Sequence, residues 1–301
     1  MNDTIKFDNK YILCGYGFKE ESPYLLLDSL SKPTTRYYFF VRNVSFTLTS
    51  YKTRYCVGKY DMLTFQDEPC SSNALLTSKD IRCQDCNQAI GFNPAFYNAS
   101  SQISAKQQVY NSQKHCIYLA YFDKKLIKVG ISHYKRTITR LCEQGARAAA
   151  IIYEYDNAYK ARGAEAMIIK DLKLPEAVSN SKKMKLISET FDYADAKEKL
   201  TKLSGEFHRQ INSTTIKSPE IYNFQQHYLA ENTLKGDIFD VSKVSPISIS
   251  GKCIGMIGNI LITEQQNQQF MVPIKLLISH TVTFSEKIIK NKIVPTQMSL
   301  F

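Results

Sequence analysis

The chain has 301 residues, enough for about two compact domains, each with its own core. Apolar residues make up 44%, but no apolar stretch reaches the ~18–20 residues of a membrane-spanning helix, so a membrane span is not expected. The net charge of +11 is concentrated: residues 105–147 hold nine Lys or Arg against two acids, the footprint of a phosphate-rich partner.

The opening MNDTIKFDNKYILCGYGFKEE has an early acid and no long apolar run. A secretory signal is therefore not expected, and the protein is placed in the cytoplasm. There, eight cysteines point to reduced thiols or metal ligands rather than disulfides.

Residues 11–66 read as β structure, since YILCGYGF, YLLLDSL, RYYFFV and VSFTLTS are rich in aromatic and β-branched residues. With the cysteines that follow, residues 1–92 form a β-rich part. Cys83-Gln-Asp-Cys86 has the spacing with which two thiolates reach one tetrahedral Zn²⁺ from a tight turn. Cys56 and Cys70 lie upstream as the second pair, with His115 and Cys116 as reserves, while Cys14, Cys142 and Cys253 read as core thiols. Residues 93–114, rich in Asn, Ser and Gln, read as a polar linker.

The module at 115–175 opens with CIYLAYFDKKLIKVG. In its second strand Ile127, Val129 and Ile131 form the core face, so Lys128 points the other way. In the first, Ile117, Leu119 and Tyr121 are the core partners, leaving Tyr118 and Ala120 opposite. Tyr118 and Lys128 share the non-core face if the turn at Asp123–Lys125 contributes an odd number of residues. A helix is expected over about 134–149, with Ile138, Leu141, Cys142, Gly145 and Ala149 as its apolar stripe and Arg136, Arg140, Gln144 and Arg147 on the other side. A strand (AIIYEY) and a helix over about 158–173 follow, the helix capped by Asp156 or Asn157 and carrying Glu165 near its middle. Within the basic stretch, Lys124, Lys125, Lys135, Arg136 and Arg147 are the candidates for DNA contact. Residues 176–235 read as a helical segment, with a charged helix at about 189–211. Residues 236–290 read as a β-rich C-terminal part, with EQQNQQ as a hairpin loop, and 291–301 as a tail.

The order strand, strand, helix, strand, helix, with CIY, then KVG, then Arg140 and Glu165, resembles the GIY-YIG nuclease module. KVGIS…RLCEQGA and GKCIGMIGNILI also resemble a prokaryotic domain-of-unknown-function family with such a core, a cysteine-bearing N-terminal part and a β-rich C-terminal part. The fold class expected is therefore α+β, a small central mixed sheet with flanking helices between two β-rich parts, the first stapled by zinc. The resemblance implies that Tyr118 handles the attacking water, Arg140 stabilises phosphoryl charge and Glu165 holds a catalytic Mg²⁺ or Mn²⁺. Lys128 stands where most members carry a second tyrosine. Gln144 replaces a frequent histidine, for which His133 is a partial stand-in. A phenol is a poor base unless cations lower its pKa, and Lys128 with a metal on Glu165 is the expected source of that shift. The expected function is a metal-dependent endonuclease acting on DNA, with a silent, zinc-stabilised binder of DNA or RNA as the alternative.

The last residues, Gln297, Met298, Ser299, Leu300 and Phe301, resemble the pentapeptide that binds the bacterial DNA sliding clamp. Leu300 and Phe301 would fill its apolar pocket and Gln297 would bond to the rim. The preceding SEKIIKNKI is expected to extend away from the body.

Overall fold

The computed structural model describes residues 5–20, 22–93, 103–175, 177–211, 219–229, 234 and 237–293. It is mixed α+β and divides into two compact units. The first unit joins residues 1–61, 66–89 and 228–301; the second comprises 62–65 and 90–227. Among the described residues no helix is long and apolar enough to cross a membrane.

The first unit begins with β1 (Lys10–Lys19), β2 (Ser22–Ser29), β3 (Arg36–Phe40) and β4 (Ser45–Arg54). A small hairpin, β5 (Lys59–Asp61) and β6 (Gln66–Glu68), and the short helix α1 (Gln84–Ile90) follow. The second unit then runs through α2 (Ala105–Asn111), β7 (His115–Asp123), β8 (Leu126–His133), α3 (Thr137–Gln144) and β9 (Ala148–Tyr155). It continues with α4 (Ala158–Leu172), α5 (Asn180–Ile187), α6 (Tyr193–Gln210), β10 (Ile221–Asn223) and the short α7 (Gln225–Tyr228). The chain closes with β11 (Ile238–Asp240), β12 (Ser248–Ile257), β13 (Ile260–Gln265), β14 (Gln268–Pro273) and β15 (His280–Ser285).

The two β-rich segments, expected as separate parts, make one nine-stranded sheet in the order β11-β14-β13-β12-β4-β15-β1-β2-β3. β4 is the joint, antiparallel to both β12 and β15. Hydroxyl pairs mark that joint, Thr47 with Ser250 at 2.6 Å and Thr49 with Ser248 at 3.1 Å. The larger core on the sheet buries Leu13, Leu27, Phe46, Leu48, Leu261, Val272 and Phe284, and a smaller one gathers Ile12, Cys14, Leu26 and Val57. The expected loop at EQQNQQ narrows to a two-residue turn, Gln266-Asn267, with φ of 51° and 61°, the left-handed pair that tight hairpins need.

SEKIIKNKI does not extend away. Residues 286–293 are tied to the sheet: Thr47 donates to the Lys287 carbonyl, and the Asn291 side chain both accepts from and donates to the Ser250 backbone, at 2.8 and 2.7 Å. Gln297, Met298, Leu300 and Phe301 lie outside the described residues.

The second unit is built on a four-stranded sheet, β10-β9-β7-β8. The expected core face holds: Ile117, Leu119, Tyr121, Ile127 and Val129 pack with Ala161 and Ile168 of α4 and with Leu200 and Phe207 of α6. Three expectations are corrected. The helix over 134–149 stops at Gln144, because Gly145 takes φ of 76° as its left-handed cap, and Ala149 belongs to β9. The linker 93–114 contains α2, capped by Ser104, with Gln107 buried and clamped to both backbone groups of Asn93. The charged helix over 189–211 starts only at Tyr193, where Asp192 accepts from Ala194 N and Asp195 N. Asn157 supplies the cap of α4, accepting from Lys160 N at 2.9 Å.

Candidate metal centre and sheet-face site

Cys83 and Cys86, singled out by spacing, and Cys56 and Cys70, expected as the upstream pair, come together with their sulfurs within 4.8 Å of one another. A Zn–S distance of about 2.3 Å in a tetrahedron separates sulfurs by ~3.8 Å, so the set fits a structural metal such as zinc. Among the described residues it is the group of candidate ligands of this kind, and His115 and Cys116 sit elsewhere, on β7.

Backbone geometry makes the cluster. Gly58 has φ of 82°, and a Cβ there would run into the Glu68 carbonyl and Pro69, so the turn after Cys56 needs glycine. That turn lets Gly58 N and Cys83 N donate to Cys56 Sγ at 3.4 and 3.2 Å. Cys83 lies just ahead of α1, and its carbonyl accepts from Asn87 N. Burial raises the Cys70 thiol, yet the N–H groups of Ala74 and Ser72 and the Ser72 hydroxyl outweigh it, holding Cys70 at about 6. Such donors favour the thiolate that binds metal.

Arginines tie these loops to the sheet. Arg36 donates to the Val57 carbonyl at 2.9 Å while paired bidentately with Asp28, at 2.6 and 2.8 Å. Arg82 donates to the Gly58 carbonyl, and Arg54 to the Ser78 and Asp80 carbonyls. Asp28 is 2% exposed. Asp28→Ala is expected to cost ~3–5 kcal/mol, because it leaves a buried guanidinium uncompensated. It is also expected to speed release of metal to a chelator, since the Val57 carbonyl loses a fixed donor next to Cys56. Denaturant melts and a chelator time course check the two effects.

The sheet face of the second unit carries the other candidates. Tyr118 pairs opposite Gly130 and Ala120 opposite Lys128, so Tyr118 and Lys128 do share the non-core face. The turn, Lys124-Lys125, has two residues, and a register shift between Tyr121 and Asp123 supplies the odd one at Phe122. Lys128 Nζ stands 6.0 Å from the Tyr118 ring centroid. A Cβ on Gly130 would come 2.5 Å from the Tyr118 hydroxyl, so glycine there lets the ring lie across β8. Gln144, from the end of α3, donates to Tyr118 Oη at 2.8 Å.

Tyr118 is 2% exposed, and burial raises its pKa. The Gln144 hydrogen bond and the Arg140 charge pull it down and Glu165 pushes it up, but burial prevails. In the metal-free protein the Tyr118 phenol is therefore held up by burial rather than lowered by its cationic neighbours. Arg140 itself is half exposed and 3.8 Å from Glu143. Glu165 is 3% exposed, on the inner side of α4, and its carboxylate is ion-paired with Arg162 one turn earlier. The structure therefore brings Tyr118, Lys128, Gln144, Arg140 and Glu165 into one neighbourhood.

His133 does not join them. It pairs with His115 on the opposite, core-facing side of the sheet, with Nε2 2.7 Å from Gln113 Oε1 and Nδ1 accepting from Lys135 N. Its alternation with Ile131 and Val129 carried that information already. Burial, with His115, Lys135 and Arg136 nearby, lowers its pKa to about 4. The unfolded imidazole titrates near 6.5, so between pH 6.5 and 4 the unfolded chain binds the extra proton. Stability is expected to be full above pH 6.5 and to fall as the pH drops toward 4. The His133→Gln variant, followed by denaturant midpoint against pH, is expected to show a shallower fall.

The candidate DNA contacts divide. Lys124, Lys125 and Lys135 are exposed. Arg136 is ion-paired with Glu143 at 2.7 Å. Arg147 is a structural clasp, donating to the Glu189 carbonyl at 2.7 Å and lying 5.0 Å from the Phe191 ring.

Comparison with known proteins gives one family model, described as Protein of unknown function (DUF2797), which matches residues 48–282. No curated protein and no solved structure matches the chain.

Proposed function

Because the chain belongs to the DUF2797 family, over a match that runs from β4 to β15, we propose from its own geometry that it is a zinc-stabilised nucleic-acid-binding protein. Its second unit would be a catalytically silent relative of the GIY-YIG module. One observation carries this reading. The two residues on which hydrolysis would depend, Tyr118 and Glu165, are buried and held by Gln144 and Arg162, whereas Lys124, Lys125, Lys135 and Arg140 of the same unit are exposed. Exposed cations neutralise phosphates and release counterions; buried groups serve the fold. Zinc, when bound, supplies a redox-inert tetrahedral cross-link between the cysteine loops.

The second reading is a metal-dependent phosphodiesterase acting on DNA, and the gathering of Tyr118, Lys128, Arg140 and Glu165 at one place favours it. A catalytic Mg²⁺ or Mn²⁺ fits poorly. Glu165 is already neutralised by Arg162, and among the described residues no acidic group of three or more joins it. Incubation of labelled duplex, single-stranded and branched DNA with Mg²⁺, Mn²⁺ or EDTA decides between the two. A salt-sensitive gel shift without cuts supports the binding protein; cuts lost in Tyr118→Phe and Glu165→Ala would establish the enzyme.

Recruitment by the bacterial sliding clamp is a separate proposal resting on the sequence of Gln297, Met298, Leu300 and Phe301. A chain cut after Pro295 is expected to lose binding to purified clamp; unchanged binding would end that idea.

A further inference from the structure

Helix α5 lies within the segment read as helical, though no separate helix was marked there, and its composition is unusual. Between residues 177 and 188 it contributes Lys182, Lys183 and Lys185 and no acid. Ser179 caps its N-terminus, accepting from Lys182 N at 3.3 Å. Two cations hold it in place. Lys183 Nζ donates to the Gln144 carbonyl at 2.6 Å, at the C-terminal end of α3, with Phe122 below it at 5.1 Å. Arg147 closes on the Leu186 carbonyl in the last turn of α5 and on the Glu189 carbonyl just past it. Both contacts place positive charge at the negative end of a helix, which favours docking. Ile187 is the side chain buried by it.

Docking therefore accounts for Lys183, Arg147 and Ile187 and leaves Lys182 and Lys185 to be explained. Three residues apart on one helix, they share a face, and both are exposed. Glu189 is the next acid along the chain. The helix rests on Gln144, whose side chain holds Tyr118 and whose helix carries the exposed Arg140. A cationic surface fixed beside a cationic surface repels itself unless a polyanion lies over both.

We infer that α5 is a phosphate-binding wall of the nucleic-acid interface, with Lys182 and Lys185 contacting the backbone of a strand that also passes Arg140. The inference rests on the binding function proposed above and adds a surface to it. Because each phosphate contact contributes ~0.9 to the slope of log affinity against log salt on duplex DNA, Lys182→Ala/Lys185→Ala is expected to flatten that slope by about 1.8. The comparison is Lys52→Ala/Lys252→Ala, which removes the same charge from exposed positions of the first unit and is expected to leave the slope unchanged. If wild type binds with a steep slope and the α5 variant keeps it, the wall is wrong and the binding function stands. Equal flattening in both variants would likewise overturn it, reducing the effect to net charge. If wild type shows no salt-dependent binding, the binding function falls, and the wall with it.

Discussion

About one zinc ion per chain is the expected metal content of protein purified without chelator, and Cys56→Ser is expected to lose most of it. Cys56 is the informative ligand because its sulfur also accepts from Gly58 N and Cys83 N. Serine oxygen is a poorer partner for zinc and too short to keep both donors satisfied. Metal ligation in small zinc folds is worth ~10–16 kcal/mol in apparent terms. Here a large sheet supports the same unit, so a loss of roughly 3–5 kcal/mol is expected, a fall in Tm on the order of 10 °C. Cys253→Ser is the comparison: Cys253 is fully buried in the sheet core, so it should destabilise the protein and leave the zinc in place. Elemental analysis beside thermal melts reads both quantities. Wild type without metal, melting unchanged in Cys56→Ser, would remove the metal centre.

Nucleic-acid binding without cleavage is the second large effect expected. If Lys124, Lys125, Lys135 and Arg140 each meet a phosphate, they contribute about −3.6 to the salt slope on duplex DNA, and that share alone lowers affinity on the order of 100-fold between 50 and 200 mM salt. Glu165→Ala separates the two functional readings by where its effect falls. In a binding protein it strands Arg162 beside a vacated interior position and costs up to ~3–5 kcal/mol of stability, leaving the affinity of the folded fraction close to wild type. In a phosphodiesterase it abolishes cutting, as does Tyr118→Phe. Tyr118→Phe removes only the hydroxyl that accepts from Gln144, a change of about 1 kcal/mol in stability. Metal-dependent cutting by wild type, absent from both variants, would replace the first reading by the second.

What the sequence disclosed depends on the range over which each feature is encoded. Cys83 and Cys86 were legible because CxxC spacing is local, whereas Cys56 and Cys70 followed only from being the cysteines next upstream. The core face of β7 and β8 was legible from alternation, and so was the placement of His133 away from Tyr118, once its parity with Ile131 is counted. The shared face of Tyr118 and Lys128 turned on one bulged residue, Phe122, that no pattern marks. Helix α5 was not marked out within the helical segment because NSKKMKLI has a cap at Ser179 but buries little beyond Ile187. The union of the two β-rich segments was out of reach. It resides in pairings such as Thr47 with Ser250, two hundred residues apart, and each partner reads as an ordinary strand residue alone.

The same pairing governs how the protein can be made. β4 ends at Arg54, and the strands that flank it, β12 and β15, begin at Ser248 and His280. At ~5–20 residues per second, a ribosome leaves β4 with both edges open for roughly 10–40 s. In that interval the cysteine loops and the whole second unit have already emerged. The nascent chain therefore presents bare strand edges to its surroundings for most of its synthesis. Chaperone engagement at residues 10–54 would follow from that delay, and any fragment ending before β12 would be the species most prone to aggregate.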